Sequence, residues 1–218
     1  TISTNLVASN ASITVPDNLS AVFISALTID ANANGYLDAV QVNFSEAISN
    51  YTFGTNKNAF NGTNNITLGT IFSSSITFDP DNNFAGVNDS VIYLNFTGTT
   101  YNTGGQATVN FSSNATTRIT DIAGNLITYV ASTATQNLTT DLASPVIWSK
   151  NTLGFNRTGY LDTINITFSE PVVDNTSANI TIEGISSFTY YTTGNAFPGD
   201  SANDQYVYLG FTGTTYFT

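Results

Sequence analysis

Apolar and polar residues alternate along much of this chain with a period of two. Val40, Val42 and Phe44 fall on one phase and Gln41, Asn43 and Ser45 on the other, which is the pattern of a half-buried strand. Ile92, Leu94 and Phe96 repeat it, as do Ala107, Val109 and Phe111. A first strand is expected around Val22 and Ile24, others over 65–72 and 75–78, and a last one over about 126–132. No window carries a 3.6-residue apolar period, so no substantial helix is expected. Short strands separated by polar turns predict an all-β chain built from two-sheet sandwiches.

The pattern returns. Gly35-Tyr36-Leu37-Asp38 and the strand after it reappear as Gly159-Tyr160-Leu161-Asp162 followed by Ile164, Ile166 and Phe168, a displacement of 124 residues. Ser144-Pro145-Val146-Ile147 matches Ser20-Ala21-Val22-Phe23 at the same displacement. Ile180 and Ile182 follow, and Val207, Leu209 and Phe211 match Ile92, Leu94 and Phe96 at 115, nine residues fewer. Fixed-period self-similarity of this kind marks a tandem array. Seven or so strands per repeat suit an immunoglobulin-like sandwich. The expected organisation is two such domains, over 20–140 and 141–218, preceded by a segment, 1–19, that belongs to neither.

The order of the pieces is informative. After Phe211 nothing corresponds to the Ala107, Val109 and Phe111 strand or to residues 126–132. At the other end, Asn5-Leu6-Val7 matches Asn125-Leu126-Ile127, and Asp17-Asn18-Leu19-Ser20 matches Asp141-Leu142-Ala143-Ser144. Residues 1–19 thus resemble the final strand and linker of a repeat, while the second repeat is expected to lack its closing strands. Residues from Ile2 to Val15 are expected to lie in the second repeat of a neighbouring copy. Leu6, Ala8, Ile13 and Val15 would fill its core beside the strand of Val207, Leu209 and Phe211, and the change of phase between Ala8 and Ile13 predicts a bulge.

Composition narrows the chemistry. Fifteen acidic residues against four basic ones give a net charge of −11, which disfavours nucleic acid and anionic membranes as partners. No apolar run approaches the roughly 20 residues of a spanning helix, and no charged-then-apolar leader opens the chain, so it reads as mature or excised from something longer. There is no Cys, His or Met. This removes His-based triads, thiol nucleophiles and the usual zinc, iron and copper sites, leaving the oxygen ligands that suit Ca²⁺. Abundant Asn, Ser and Thr at low charge point to an extracellular, cell-surface location.

The Gly-Tyr-Leu-Asp lead-in, Phe168-Ser169-Glu170-Pro171-Val172, the turn Asp121-Ile122-Ala123-Gly124-Asn125 and the opening Asp141-Leu142-Ala143-Ser144-Pro145-Val146-Ile147 resemble the tandem immunoglobulin-like repeats of large prokaryotic surface proteins: adhesins, S-layer proteins and other extracellular repeat proteins. The first repeat departs in having Ala47 where the second has Pro171. The resemblance implies fold and location, and says little about activity.

Three kinds of site are legible. The 30–38 loop has the oxygen spacing of a calcium loop: Asp30, Asn32, Asn34, the Tyr36 carbonyl and Asp38, with Gly35 at the turn. Gln41 stands where the closing bidentate Glu would be, so the competing reading is an Asn-Gly turn held by Asx hydrogen bonds. The second copy, with Gly154, Asn156 and Thr158, keeps only Asp162 of the two acids and should bind weakly. Strand parity places Glu46, Asp121 and Asp17 near one another, and Glu170 with Asp141 likewise, as a second candidate metal set. Fifteen Asn-X-Ser/Thr sequons occur. Those at Asn43, Asn95, Asn110, Asn165 and Asn179 lie on outward strand phases, and those at Asn61, Asn88, Asn137 and Asn156 lie off strands. An outward Asn followed by a core residue and an outward Thr makes a sequon in any Asn- and Thr-rich strand, which is the competing reading.

The functional expectation is a non-catalytic structural subunit that polymerises with itself, head to tail, by strand donation, stiffened by calcium and carrying glycans. The alternative is a window of a longer tandem adhesin or S-layer protein; a carbohydrate-binding module, with Tyr190 and Tyr191 as a stacking surface, is a third reading. Paired carboxylates with no cleft signature argue against a glycosidase.

Overall fold

The computed structural model describes residues 15–49, 66–69, 77–78, 88–97, 99–111, 119–127, 139–155, 157, 159–173, 180–184, 189–190 and 201–210. The chain is all-β, with no helix among the described residues. The first repeat contributes β1 (Phe23–Ile29), β2 (Ala39–Phe44), β3 (Ile66–Gly69), β4 (Thr77–Phe78), β5 (Val91–Thr97) and β6 (Thr108–Phe111). The second contributes β7 (Ile147–Leu153), β8 (Thr163–Phe168), β9 (Thr189–Tyr190) and β10 (Tyr206–Gly210). Every pairing between these strands is antiparallel, in sheets ordered β1-β2-β5-β4, β7-β8-β10-β9 and β3-β6.

The alternation on β2 and β5 becomes burial. Val40, Val42 and Phe44 are buried, as are Ile92, Leu94 and Phe96, and both sets meet Leu68 of β3 and Val109 of β6 in one core. The β3-β6 pair therefore faces the larger sheet. In the second repeat, Ile166, Val207 and Leu209 form a smaller buried cluster flanked by Ile164, Phe168, Ile180 and Ile182.

The two larger sheets are the same object twice. β1 and β7, and β2 and β8, occupy equivalent positions at the 124-residue displacement, and even an irregularity is shared. Phe23 opposes Phe44 but Ser25 opposes Asn43, so Ile24 is an extra residue in the ladder; Ile147 opposes Phe168 but Ser149 opposes Thr167, so Trp148 is the extra one. A bulge shifts the side-chain phase by one. This is why Val22 and Ile24, on which the sequence places the first strand, are exposed, while Ala26 and Thr28 are buried.

One expectation is corrected by the topology. β10 is bonded to β8 from Tyr206 to Gly210 and to β9 at Leu209 and Gly210. It is an interior strand, so Val207 and Leu209 could meet an added strand across the core but not as ladder neighbours. The edge strand on the other side is β7.

Candidate functional sites: the loop, the junction and the base

The 30–38 loop is closed by its own oxygens. The Asp30 carboxylate accepts N–H bonds from Asn34 and Gly35, at 3.2 and 2.8 Å, and Asn34 Oδ1 accepts the Tyr36 N–H at 2.8 Å. Asn32 Oδ1 accepts a second bond from the Asn34 N–H at 3.0 Å. Asp38 Oδ2 accepts the N–H groups of Ala31 and Asn32, while Oδ1 accepts the Asn32 side-chain amide at 3.1 Å. Each side-chain oxygen counted above as a calcium ligand thus already accepts a hydrogen bond within the loop.

The second loop keeps the same framework with fewer acids. Ala33 and Gly35 have positive φ, 55° and 89°, and so do their equivalents Arg157 and Gly159, 54° and 81°. Asp162 accepts the Phe155 N–H at 2.8 Å, as Asp38 accepts that of Ala31. The shared Asp is therefore a structural clasp. Asn156 and Thr158 lie outside the described residues.

The first loop has a further role: it is the floor on which the second repeat stands. Trp148, the single Trp of the chain, donates its Nε1–H to the Asn34 carbonyl at 3.1 Å, and its ring lies 5.1 Å from that of Tyr36. Beside it Thr103 and Ser169 share a buried 2.6 Å hydrogen bond, and Ser169 Oγ also accepts the Val146 N–H. A Cβ on Gly35 would run into Trp148 Nε1 and the Ser169 Cβ, whereas one on Gly159 would meet nothing within 4 Å. Both positions carry the positive-φ cost of about 1 kcal/mol, but only Gly35 adds a clash. Gly35→Ala is expected to destabilise the chain by roughly 2–4 kcal/mol and Gly159→Ala by about 1 kcal/mol. Urea unfolding of the two variants checks this; equal losses would remove the close approach of Trp148 from the account.

Glu170 is buried at the same junction, 6% exposed, with its Oε1 lacking a hydrogen-bond partner. Burial, and then the charge of Asp141, push its carboxyl from 4.5 up to about 7, while a hydrogen bond with Thr103 opposes the rise. The linker also clasps the first repeat. Thr140 bridges Leu27 in parallel, its N–H reaching the Ala26 carbonyl and its carbonyl accepting the Thr28 N–H, and Thr28 Oγ1 donates to Asp141 at 3.3 Å. A groove of about 360 Å³ lies between the 28–33 segment and residues 142–146.

The base of the first repeat, at the opposite end, is the equivalent surface, and Leu19, Val22, Ile24 and Ile122 are exposed there. The chain after β2 pairs Ile48 with Asp121, which brings Glu46 to the 121–125 turn. Asn125 bonds both oxygens of Asp121 and donates to the Asp17 and Leu19 carbonyls, pinning the N-terminal linker there. One carboxylate oxygen each from Asp17, Glu46 and Asp121 lies within 4.8 Å of the others. Burial and the charges of Asp17 and Asp121 raise the Glu46 carboxyl above its ordinary range. These three are the residues that strand parity grouped. Asp141 and Glu170 are also brought together, as a pair.

The sequence reading did not single out Trp148, Thr103, Ser169, or Asn125 as a clamp; the one signal was a lone Trp at a strand position otherwise held by an aliphatic residue. Among the sequons, Asn88 is exposed in a turn and Asn43 is half-buried, bonded to Ser25 and Gln41. Asn95 keeps the phase opposite to the core residues Leu94 and Phe96 but is buried there, 7% exposed, and Asn165 is half-buried with its Oδ1 enclosed. A glycan would have no way out from Asn95. Asn61, Asn137 and Asn179, the side chain of Asn110, and the assembly residues Ile2, Leu6, Ala8, Ile13 and Phe211 lie outside the described residues, as do residues 128–132 of the expected last strand. No family model matches the chain, and no curated protein or solved structure matches it either.

Proposed function

We propose that this chain is a structural subunit of an extracellular filament or surface assembly. In this reading it consists of two tandem immunoglobulin-like sandwiches and joins copies head to tail by β-strand donation. The observation that carries the reading is the unequal cover of two equivalent surfaces. Leu19 is 77% exposed at the base of the first repeat, whereas its equivalent Ala143 is 9% exposed at the junction. Val22, Ile24 and Ile122 are likewise exposed beside Leu19, and at the far end of the second repeat Phe155 and Tyr160 are exposed. Apolar groups at both ends of one molecule make a heterologous contact that need not close, which propagates a filament.

A second reading, a longer tandem array, is favoured by the linker: residues 139–141 already bind β1 within one chain, so a following repeat could serve β7 in the same way. The mass of the intact native chain separates the two. A mass near 23.2 kDa together with filaments in negative stain supports the polymer; a much larger one supports the array. A monodisperse, 23 kDa monomer at all concentrations would overturn both.

Donor chemistry points to calcium as the stiffening ion, and the base fits it better than the loop. Three mutually repelling carboxylates at Asp17, Glu46 and Asp121 lower their energy by sharing a divalent cation. In the 30–38 loop an N–H already points at Asp38 Oδ1. Glu46→Gln is expected to weaken calcium binding at least tenfold in a titration of the full chain, and Asp30→Ala to leave it unchanged. The reverse result would assign the ion to the loop. Glycans, in the same reading, belong on exposed turns such as that of Asn88.

A further inference from the structure

The joint inside the chain specifies the joint between chains, residue by residue. In the first repeat, the edge strand β1 receives the linker in parallel at Leu27 and Thr140. Thr139, one residue earlier, is 1% exposed and caps the strand of Ala107 through both its N–H and its hydroxyl. Displaced by 124 residues, β1 becomes β7, and Leu27 and Thr28 become Asn151 and Thr152. Displaced the other way, Thr139, Thr140 and Asp141 become Val15, Pro16 and Asp17.

Among the described residues both halves of the equivalent contact are open. β7 is the edge of its sheet, and Asn151 and Thr152 are exposed where Thr28 is buried. Val15 is 80% exposed and the residues up to Leu19 are exposed with it. We propose that residues 15–18 of one copy dock in parallel on β7 of a second copy, with Pro16 opposite Asn151. In that register the Thr152 hydroxyl donates to the Asp17 carboxylate and accepts the Asn18 N–H, repeating the Thr28, Asp141 and Leu142 arrangement. The Thr152 N–H bonds the Pro16 carbonyl, as that of Thr28 bonds the Thr140 carbonyl.

Pro16 supplies a test of the register. It has no N–H, so the bond that Thr140 makes to the Ala26 carbonyl has no equivalent at Lys150. Proline is tolerated on a sheet's edge and excluded from its middle, and the docked segment would be the outermost strand. The retained Thr and Asp pair keeps the side-chain half of the clasp. The same displacement sets Tyr160 of one copy, the equivalent of Tyr36, toward Ile24 of the next, the equivalent of Trp148. The exposed apolar groups at the two ends are thereby paired.

This inference rests on the strand-donation reading, and a cysteine pair separates the two. The chain has no Cys, so Pro16→Cys with Asn151→Cys in the full-length chain introduces one inter-copy disulfide at positions close enough to bridge. Oxidation of assembled material should yield a ladder of covalent oligomers. Neither single variant should go beyond a dimer, and Pro16→Cys with Ser149→Cys should give at least tenfold less ladder. Filaments without a ladder would overturn the register and leave strand donation standing; no assembly of the unmodified chain would overturn both. Should the double variant not fold, hydrogen exchange in the unmodified chain decides. The β7 amides should exchange at least tenfold more slowly in assembled than in monomeric protein, and an unchanged rate would overturn the register.

Discussion

A chain lacking residues 1–15 is expected to fold its first repeat and to fail to extend a filament. Among the described residues the core of the first repeat is built from β1, β2, β3, β5 and β6. The linker stays pinned, because Asn125 grips the carbonyls of Asp17 and Leu19, beyond the deletion. What is lost is the strand for the neighbouring copy. Burying Leu6, Ala8, Ile13 and Val15 is worth about 1.5–3 kcal/mol for each of the three larger side chains. Removing them should raise the concentration needed for assembly by roughly a thousandfold or more. Added as a free peptide, the same residues should cap growing ends. Light scattering with negative-stain microscopy reads both effects, and a truncated chain that polymerises normally would end the strand-donation account.

Glu170 should make the junction weaker as pH rises toward neutrality. Its folded value is raised, from 4.5 to about 7. Below pH 4.5 the carboxyl is protonated folded or unfolded, and its contribution is fully present. Between about 4.5 and 7 the unfolded chain has released the proton while the folded chain still holds it, so stability falls with pH across this window. The fall is on the order of 2 kcal/mol, and it is complete once the buried carboxylate ionises beside Asp141. Glu170→Gln should flatten the dependence while keeping the shape of the side chain. Denaturant unfolding between pH 4.5 and 8 in the presence of a chelator measures it. A Glu170→Gln variant with the parent's slope would place the titrating group elsewhere.

The alternation at Val40, Val42 and Phe44, and at Ile92, Leu94 and Phe96, determined the sheets by itself, because an uninterrupted ladder converts period two directly into inside and outside. The 124-residue displacement likewise determined that one architecture occurs twice. Parity was enough to group Asp17, Glu46 and Asp121, since the strand ends and the turn leave little choice of where those carboxylates go. Other features were decided only by tertiary structure. The bulge residues Ile24 and Trp148 reverse the phase of everything before them, and period-two reasoning has no means of locating an inserted residue. The loop acids Asp30 and Asp38 accept backbone N–H groups in a loop where Ala33 and Gly35 have positive φ, an arrangement that ligand spacing alone does not reveal. Asn95 is 7% exposed on a phase that alternation alone would leave open, and what covers the outer face of a sheet is not written in any local pattern. Glu170, the equivalent of Glu46, packs against Gly104 across the junction and is 6% exposed; that burial, with the charge of Asp141, raises its pKa against the opposing Thr103 hydrogen bond, and the packing exists only once the two repeats are docked.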